Sequence, residues 1–219
     1  ASFASLERRS MIERHLRRAD PTIGGVRLRR SVQEAFDSYT RYWLESFRLP
    51  HLNGRAVERG MRVQGYEHVV EALDAGNGVI LALPHLGGWE WAGRWLVERG
   101  HGITVVVEQI EPPELFDWFV DLRQKLGMNV VALGPSAGRE VLAALKRNEV
   151  VCLLSDRDIQ RTGVEVEFFG EVTTLPAGAD VARVTQALAD ELEHLIRRAP
   201  HQWHLFQPNW PSDPGYAAG

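Results

Sequence analysis

Gly78-Val79-Ile80-Leu81-Ala82-Leu83-Pro84-His85-Leu86-Gly87-Gly88-Trp89-Glu90-Trp91 runs from an apolar segment through a histidine and a glycine pair to an acid, and its reading decides the fold. The run Val79 to Leu83 predicts a strand that delivers an imidazole at its end, and Glu90 falls just inside the helix that follows. Within one regular helix, positions five apart point roughly 140° away from each other and could not share a site. His85 therefore precedes the helix, and Leu86, Gly87 and Gly88 form the turn. Two glycines permit the tight backbone path that brings the Glu90 carboxylate back toward the ring. A histidine titrating near neutrality, with a carboxylate that holds one tautomer and stabilises the imidazolium, is a general base, and a hydroxyl is its natural target.

Working outward, Val32, Phe36, Tyr39, Trp43 and Phe47 recur at helical spacing ahead of Pro50, which predicts a core-facing helix. A second helix is expected over about Tyr66 to Ala75, ended by Gly76-Asn77-Gly78. Beyond the His85 strand come a helix at Trp89 to Arg99, a strand at Ile103 to Val107, a helix at Pro113 to Leu126 and a strand at Asn129 to Leu133. A helix at Arg139 to Arg147 then leads to a strand at Val150 to Leu154. Strands alternating with helices imply right-handed crossovers, so the fold class is α/β, a central mostly parallel sheet flanked by helices. Val164 to Phe169 alternates with period two and reads as an edge or site-lining strand presenting Glu165 and Glu167. Thr173, Thr174 and Gly178 read as a turn into the long helix ending near Arg198.

The 219 residues, 44% apolar and 25% charged, suit one globular domain of residues 1–219 with a sizeable core. A net charge of −4 gives no reason to expect a nucleic-acid partner. The single cysteine, Cys152, lies in an apolar run and reads as packing, with neither disulfide nor zinc site, so a reducing cytoplasm is expected. No apolar run approaches the roughly 20 residues needed to span a bilayer, and the start lacks a signal-peptide pattern. Residues 1–48 nevertheless carry ten arginines against six acids. That basic helical end either meets anionic lipid headgroups, with Phe3, Leu6, Met11, Ile12 and Leu16 dipping into the interface, or is a solvated helix.

His85-x4-Glu90 resembles the His-x4-Asp/Glu motif of the glycerolipid acyltransferase superfamily, and the chain looks closest to its lauroyl/myristoyl-transferase branch. Within that branch it is most similar to the mycobacterial group that acylates phosphatidylinositol mannosides, through residues 83–90, 163–170, 173–178 and 201–206. The resemblance covers most of the chain from Val32 onward and implies a glycerol-3-phosphate-acyltransferase-like fold. It also implies acyl-CoA as donor, palmitoyl as the acyl group, a mannose hydroxyl as acceptor, no cofactor or metal, and a peripheral place on the cytoplasmic face of the plasma membrane. By the same resemblance Arg123 holds the donor's phosphate or the reacting carbonyl; either amides of the Gly87-Gly88 turn or Arg123 are expected to stabilise the oxyanion. The family places further strands and a helix after Thr174, so a segment is expected to be absent between Gly178 and Asp180, and the natural chain to begin before Ala1.

The chain departs from its lipid A relatives in carrying Glu90 where they mostly have aspartate, and Glu108 near where they have arginine. Exchanging a base for an acid favours neutral sugar hydroxyls over phosphorylated sugars, and Glu165, usually apolar in those relatives, points the same way. Glu108, Glu165, Asp156 and Asp158 are thus candidates to hydrogen-bond a polyhydroxylated acceptor, or else solvated loop acids. Trp89, Trp91 and Trp95 wall an acyl groove or pack in the core.

Two other readings stand beside this one. Gly134-Pro-Ser136-Ala-Gly138 formally matches a nucleophile elbow after a strand and before a helix, with Asp180 or Asp190 and His194, His201 or His204 completing a hydrolase triad. Ser136 reads equally as the cap of the following helix. The third reading is a lipid- or sugar-binding domain that kept the fold without the chemistry.

Overall fold

The computed structural model describes residues 6–108, 110–158, 161–176 and 181–216. The segment expected to be missing near Gly178, the start of the chain and Phe3 lie outside them. The chain divides into two compact units: Ala1–Tyr42 with Leu83–Gly87 and Leu154–Gly219, and Trp43–Ala82 with Gly88–Leu153.

The second unit carries the sheet. Its strands, β1 (Val79–Leu83), β2 (Ile103–Val107), β3 (Asn129–Ala132) and β4 (Val150–Leu154), stand in the order β1-β4-β2-β3, so the class is α/β as read. β2 runs parallel to β3, with Val105 opposite Val130, and parallel to β4, with Val105 opposite Cys152. The helices alternating with these strands are α5 (Trp89–Glu98), α6 (Pro113–Lys125) and α7 (Ala137–Lys146), each within two residues of its sequence expectation. α4 (Tyr66–Asp74) precedes β1, and the short α3 (Gly54–Arg59), which the periodicity does not announce, carries the buried Val57. Trp91 donates its indole N–H to the Val57 carbonyl at 3.0 Å, and buried Trp95 meets Tyr66 edge-on at 5.0 Å. Those two tryptophans are packing residues.

The first unit is built on α1 (Leu6–Ala19), the beginning of α2 (Gly25–Arg48), a hairpin and α8 (Val181–Arg198). The hairpin corrects the expected turn at Thr173-Thr174: Glu171–Leu175 forms strand β6, antiparallel to β5 (Val164–Phe168), with Val164 opposite Leu175. Phe169 at φ +54° and Gly170 at φ +75° make the two-residue connection. Two successive positive φ values are what a right-twisted hairpin needs there. The inner face, Val166, Phe168 and Leu175, packs with Ala189, Leu192 and Ile196 of α8 and with Trp203, Leu205 and Trp210 of the C-terminal segment. Side chains of this size each contribute about 1.5–3 kcal/mol when fully buried.

The amino-terminal helix also departs from one reading. Ile12 and Leu16 pack with Ile23, Leu28, Val32 and Ala35, and Met11 is buried as well, so of the side chains expected at a lipid interface only Leu6 is exposed among the described residues. Arg14 and Arg18 bond Asp213 and Ser212, and Arg18 also reaches Glu171. The stripe on α2 is core-facing at Val32 but ends in an exposed Phe47 beside an exposed Leu44. Among the described residues no helix is long and apolar enough to cross a membrane.

Candidate functional site

β1 ends at Leu83 and β4 at Leu154, and the Ser155 amide donates to the Leu83 carbonyl at 2.8 Å. Neighbouring strands lie about 4.8 Å apart, so residues two positions beyond each strand end are set side by side. Those residues are His85 and Asp156. The His85 Nδ1 donates to Asp156 Oδ1 at 2.6 Å, and the His85 backbone N–H donates to Asp156 Oδ2 at 3.0 Å. A carboxylate only accepts, so the proton resides on Nδ1 and the neutral ring carries its lone pair on Nε2. The His85 side chain keeps 12% of its exposure while that of Asp156 has none. Burial works to raise the Asp156 pKa, but the His85 ring and the N–H groups bonded to the carboxylate outweigh it and hold the group below the ordinary range.

Asp156 was expected at the acceptor. In the structure both of its oxygens accept from protein N–H groups and it has no exposed surface, so its carboxylate is committed to the ring and amide of His85 and to the Trp203 indole.

The C-terminal segment closes over this loop by backbone pairing. Leu86 and Trp203 form an antiparallel bridge, the Gly87 amide donates to the Gln202 carbonyl at 3.0 Å, and the His204 amide to the His85 carbonyl at 2.8 Å. Gly87 adopts φ +62°, and a Cβ there would come within 3.2 Å of the Gln202 side chain. Its N–H, one of the amides expected to receive an oxyanion, is occupied by this pairing. Trp203 Nε1 donates to Asp156 Oδ2 at 2.8 Å, and Asn209 Nδ2 to the Asp156 carbonyl at 3.2 Å. Buried His204 places Nε2 at 3.0 Å from Ser38 Oγ. Burial, then the charge on His85, pushes its pKa down to about 4.

In the second unit Glu90 occupies the first turn of α5, where a carboxylate is favoured by the unsatisfied amides. It is 3% exposed and accepts two hydrogen bonds from Arg123 of α6, at 2.6 Å from Nη2 and 3.3 Å from Nε. The guanidinium also lies 5.1 Å from the Phe119 ring centre. Removing one member of a buried pair leaves an uncompensated charge and costs about 3–5 kcal/mol. Glu90→Ala is therefore expected to lower the melting temperature by about 10 °C, at 2–4 °C per kcal/mol for a chain of this size. The double change Glu90→Met with Arg123→Met should recover most of that loss in a thermal melt, and no recovery would show that the pair is not the cause.

The bacterial lipid A biosynthesis acyltransferase family matches residues 26–180. The chain belongs to this family. Relatives of the same kind include two phosphatidylinositol mannoside acyltransferases. That of Mycobacterium tuberculosis is 40% identical over 220 residues, covering 82% of this chain and 70% of the relative. That of Mycolicibacterium smegmatis is 37% identical over 221 residues, covering 83% and 73%.

The remaining residues can be placed with the acyltransferase family in view. Glu108 follows the end of β2 and is half-buried. Glu165 is exposed on the outer face of the hairpin, opposite Thr174. Asp158 accepts from the amides of Arg161 and Gly163 and so shapes its own loop. Ser136 stands at the N-cap position of α7 with ordinary right-handed dihedrals, φ −88° and ψ −17°, which lack the strain of a nucleophile elbow. Its hydroxyl donates to Glu140 at 2.7 Å and accepts no hydrogen bond from a helix amide, so it makes no side-chain cap bond either. Burial, and then the charge of Glu90, pushes the Cys152 thiol up to about 12, which keeps it neutral and unsuited to nucleophilic work. The residue that sequence reasoning missed is Trp203; a tryptophan beside two histidines near the end of the chain carries no local signal of its partner.

Proposed function

We propose that the chain transfers a palmitoyl group from acyl-CoA to a mannose hydroxyl of a phosphatidylinositol mannoside, with His85 as general base. The observation that carries the reading is the His85–Asp156 hydrogen bond at the ends of two parallel strands, which assigns the lone pair to Nε2. The family match and the names of the mycobacterial relatives support acyl transfer to a phosphatidylinositol mannoside lipid.

In this mechanism Nε2 accepts the hydroxyl proton as the sugar oxygen attacks the thioester carbonyl. The tetrahedral intermediate collapses with cleavage of the C–S bond, an ester forms, and the imidazolium returns its proton to the departing coenzyme A thiolate. Asp156 stabilises the imidazolium, a contribution of the kind that gives general base catalysis its usual 100- to 10,000-fold effect. Arg123, fixed by Glu90 in a two-point pair, is assigned to the donor, where a planar guanidinium suits a phosphate or a polarised carbonyl. Glu108 and Glu165 are assigned to acceptor hydroxyls; both are acids with accessible surface. We also assign the chain to the cytoplasmic membrane face, held peripherally through exposed Leu44 and Phe47 at the arginine-bearing end of α2.

The test incubates purified protein with palmitoyl-CoA and a mannosylated phosphoinositide, and reads products by mass spectrometry. A glycolipid heavier by one palmitoyl group, with release of one coenzyme A, is expected. Binding of the glycolipid without any acylated product, across a series of acyl-CoA lengths, would favour the non-catalytic lipid binder.

A further inference from the structure

The buried carboxylate that orients His85 is itself held by an indole. Asp156 Oδ2 receives two N–H groups from different parts of the chain, the His85 amide at 3.0 Å and Trp203 Nε1 at 2.8 Å, while Oδ1 receives His85 Nδ1 at 2.6 Å. With Oδ2 pinned from two directions, the carboxylate cannot turn about its terminal torsion without breaking a charge-assisted bond in a site that water does not reach. Trp203 is in turn referenced to the loop it serves. Its backbone bridges Leu86, and the bonds on either side of it run to Gly87 and His85, so ring and indole share one frame. The residue lies beyond the 26–180 stretch that the family matches, so that match gives it no role.

We propose that Trp203 is a positioning residue: its indole N–H fixes the rotation of the Asp156 carboxylate and thereby the tautomer and aim of His85. The proposal rests on the reading of His85 as general base. The Trp203 bond also helps keep Asp156 ionised against its burial, so losing it weakens the preference for the proton on Nδ1 as well as the aim.

Trp203 also packs against Phe169 and Trp210, so a role in the core must be separated from the hydrogen bond. Two substitutions do this. Trp203→Phe removes the N–H and part of the ring; Trp203→3-benzothienylalanine replaces the N–H by sulfur and keeps the shape. The first readout is the pair of ring nitrogen shifts of His85 in 15N NMR, assigned by their disappearance in His85→Gln. In the parent they should report a proton on Nδ1, and in the benzothienyl protein they should move toward the tautomer average. The second readout is kinetic: kcat about tenfold lower with KM for donor and acceptor unchanged, and the acid limb of kcat/KM displaced to higher pH. Unchanged His85 shifts in the folded benzothienyl protein overturn the proposal. A His85→Gln protein as active as the parent would defeat the general-base reading and leave the NMR decision on Trp203 intact.

Discussion

Asp156→Asn is expected to abolish acyl transfer almost as completely as His85→Gln, with both rates falling about a thousandfold, within the usual range for a lost general base. For His85→Gln the reason is direct, because no imidazole then stands at the end of β1 to accept the hydroxyl proton. For Asp156→Asn the reason lies in the donors around the carboxylate. The amide oxygen stays on the His85 N–H and the Trp203 indole, which both need an acceptor, so the new NH2 falls where Oδ1 stood. A donor there forces Nδ1 to accept and moves the ring proton to Nε2, the position that must receive the proton from the hydroxyl. In serine proteases the same exchange of aspartate for asparagine is known to lower the rate about ten-thousandfold by this tautomer error. The measurement is product formation under single-turnover conditions, alongside circular dichroism to confirm the fold. An Asp156→Asn protein within threefold of the parent would remove Asp156 from the mechanism.

The contrast between Asp156 and Glu90 shows where the sequence is legible and where it stops. Val79 to Leu83 and Val150 to Leu154 are continuous apolar runs and Ile103 to Val107 is interrupted only by Thr104; each is followed or preceded by a helical pattern, and their bounds come directly from that patterning. The address of His85 follows from the same pattern, since a residue just past a parallel strand stands at the carboxyl edge of the sheet. Its partner does not follow, because nothing local says that β4 lies beside β1, with β2 and β3 on its far side. Glu90 is near His85 in the chain, whereas Asp156 is near it by strand order, 71 residues away. Trp203 is more distant still, brought in by a single backbone bridge. The hairpin failed for another reason: Phe169-Gly170 requires a phenylalanine at positive φ, which composition disfavours, while Thr173 and Thr174 looked like turn residues although β-branching suits a strand. On α1 the arginine count suggested a solvated or membrane-facing helix, yet Asp213 and Ser212, almost 200 residues on, hold Arg14 and Arg18.

Stability is expected to fall steeply as pH is lowered from about 6.5 to 4, by an amount approaching 6 kcal/mol, and two buried histidines account for it. His15 is 2% exposed, flanked by Trp203 and Trp210 at 5.5 and 5.2 Å. Its Nε2 is 3.0 Å from the Gln207 carbonyl, which only accepts, and its Nδ1 is 3.3 Å from the Arg18 guanidinium, which only donates. The neutral ring with its proton on Nε2 satisfies both; protonating Nδ1 would break the second bond and set two cations together. Burial is the main reason that its pKa drops from 6.5 to about 4, and the same cause acts on His204. Because both folded values lie below the unfolded one, the unfolded chain binds the extra protons. The stabilisation is fully present above about 6.5 and is lost as pH falls toward 4. At about 1.4 kcal/mol per unit, each group accounts for about 3 kcal/mol. Below pH 4 the histidine contribution is exhausted. Further loss then comes from Asp156, Asp213 and Glu171, whose folded pKa values are depressed and whose stabilisation is present above the unfolded carboxylate range and lost as pH falls through the folded values. Urea unfolding at half-unit steps from pH 7.5 to 4.5 measures the slope directly. His15→Leu should halve it whatever its effect on absolute stability, and a parent whose unfolding free energy stays level between pH 7 and 5 would show that these rings are protonated as readily inside the fold as outside it.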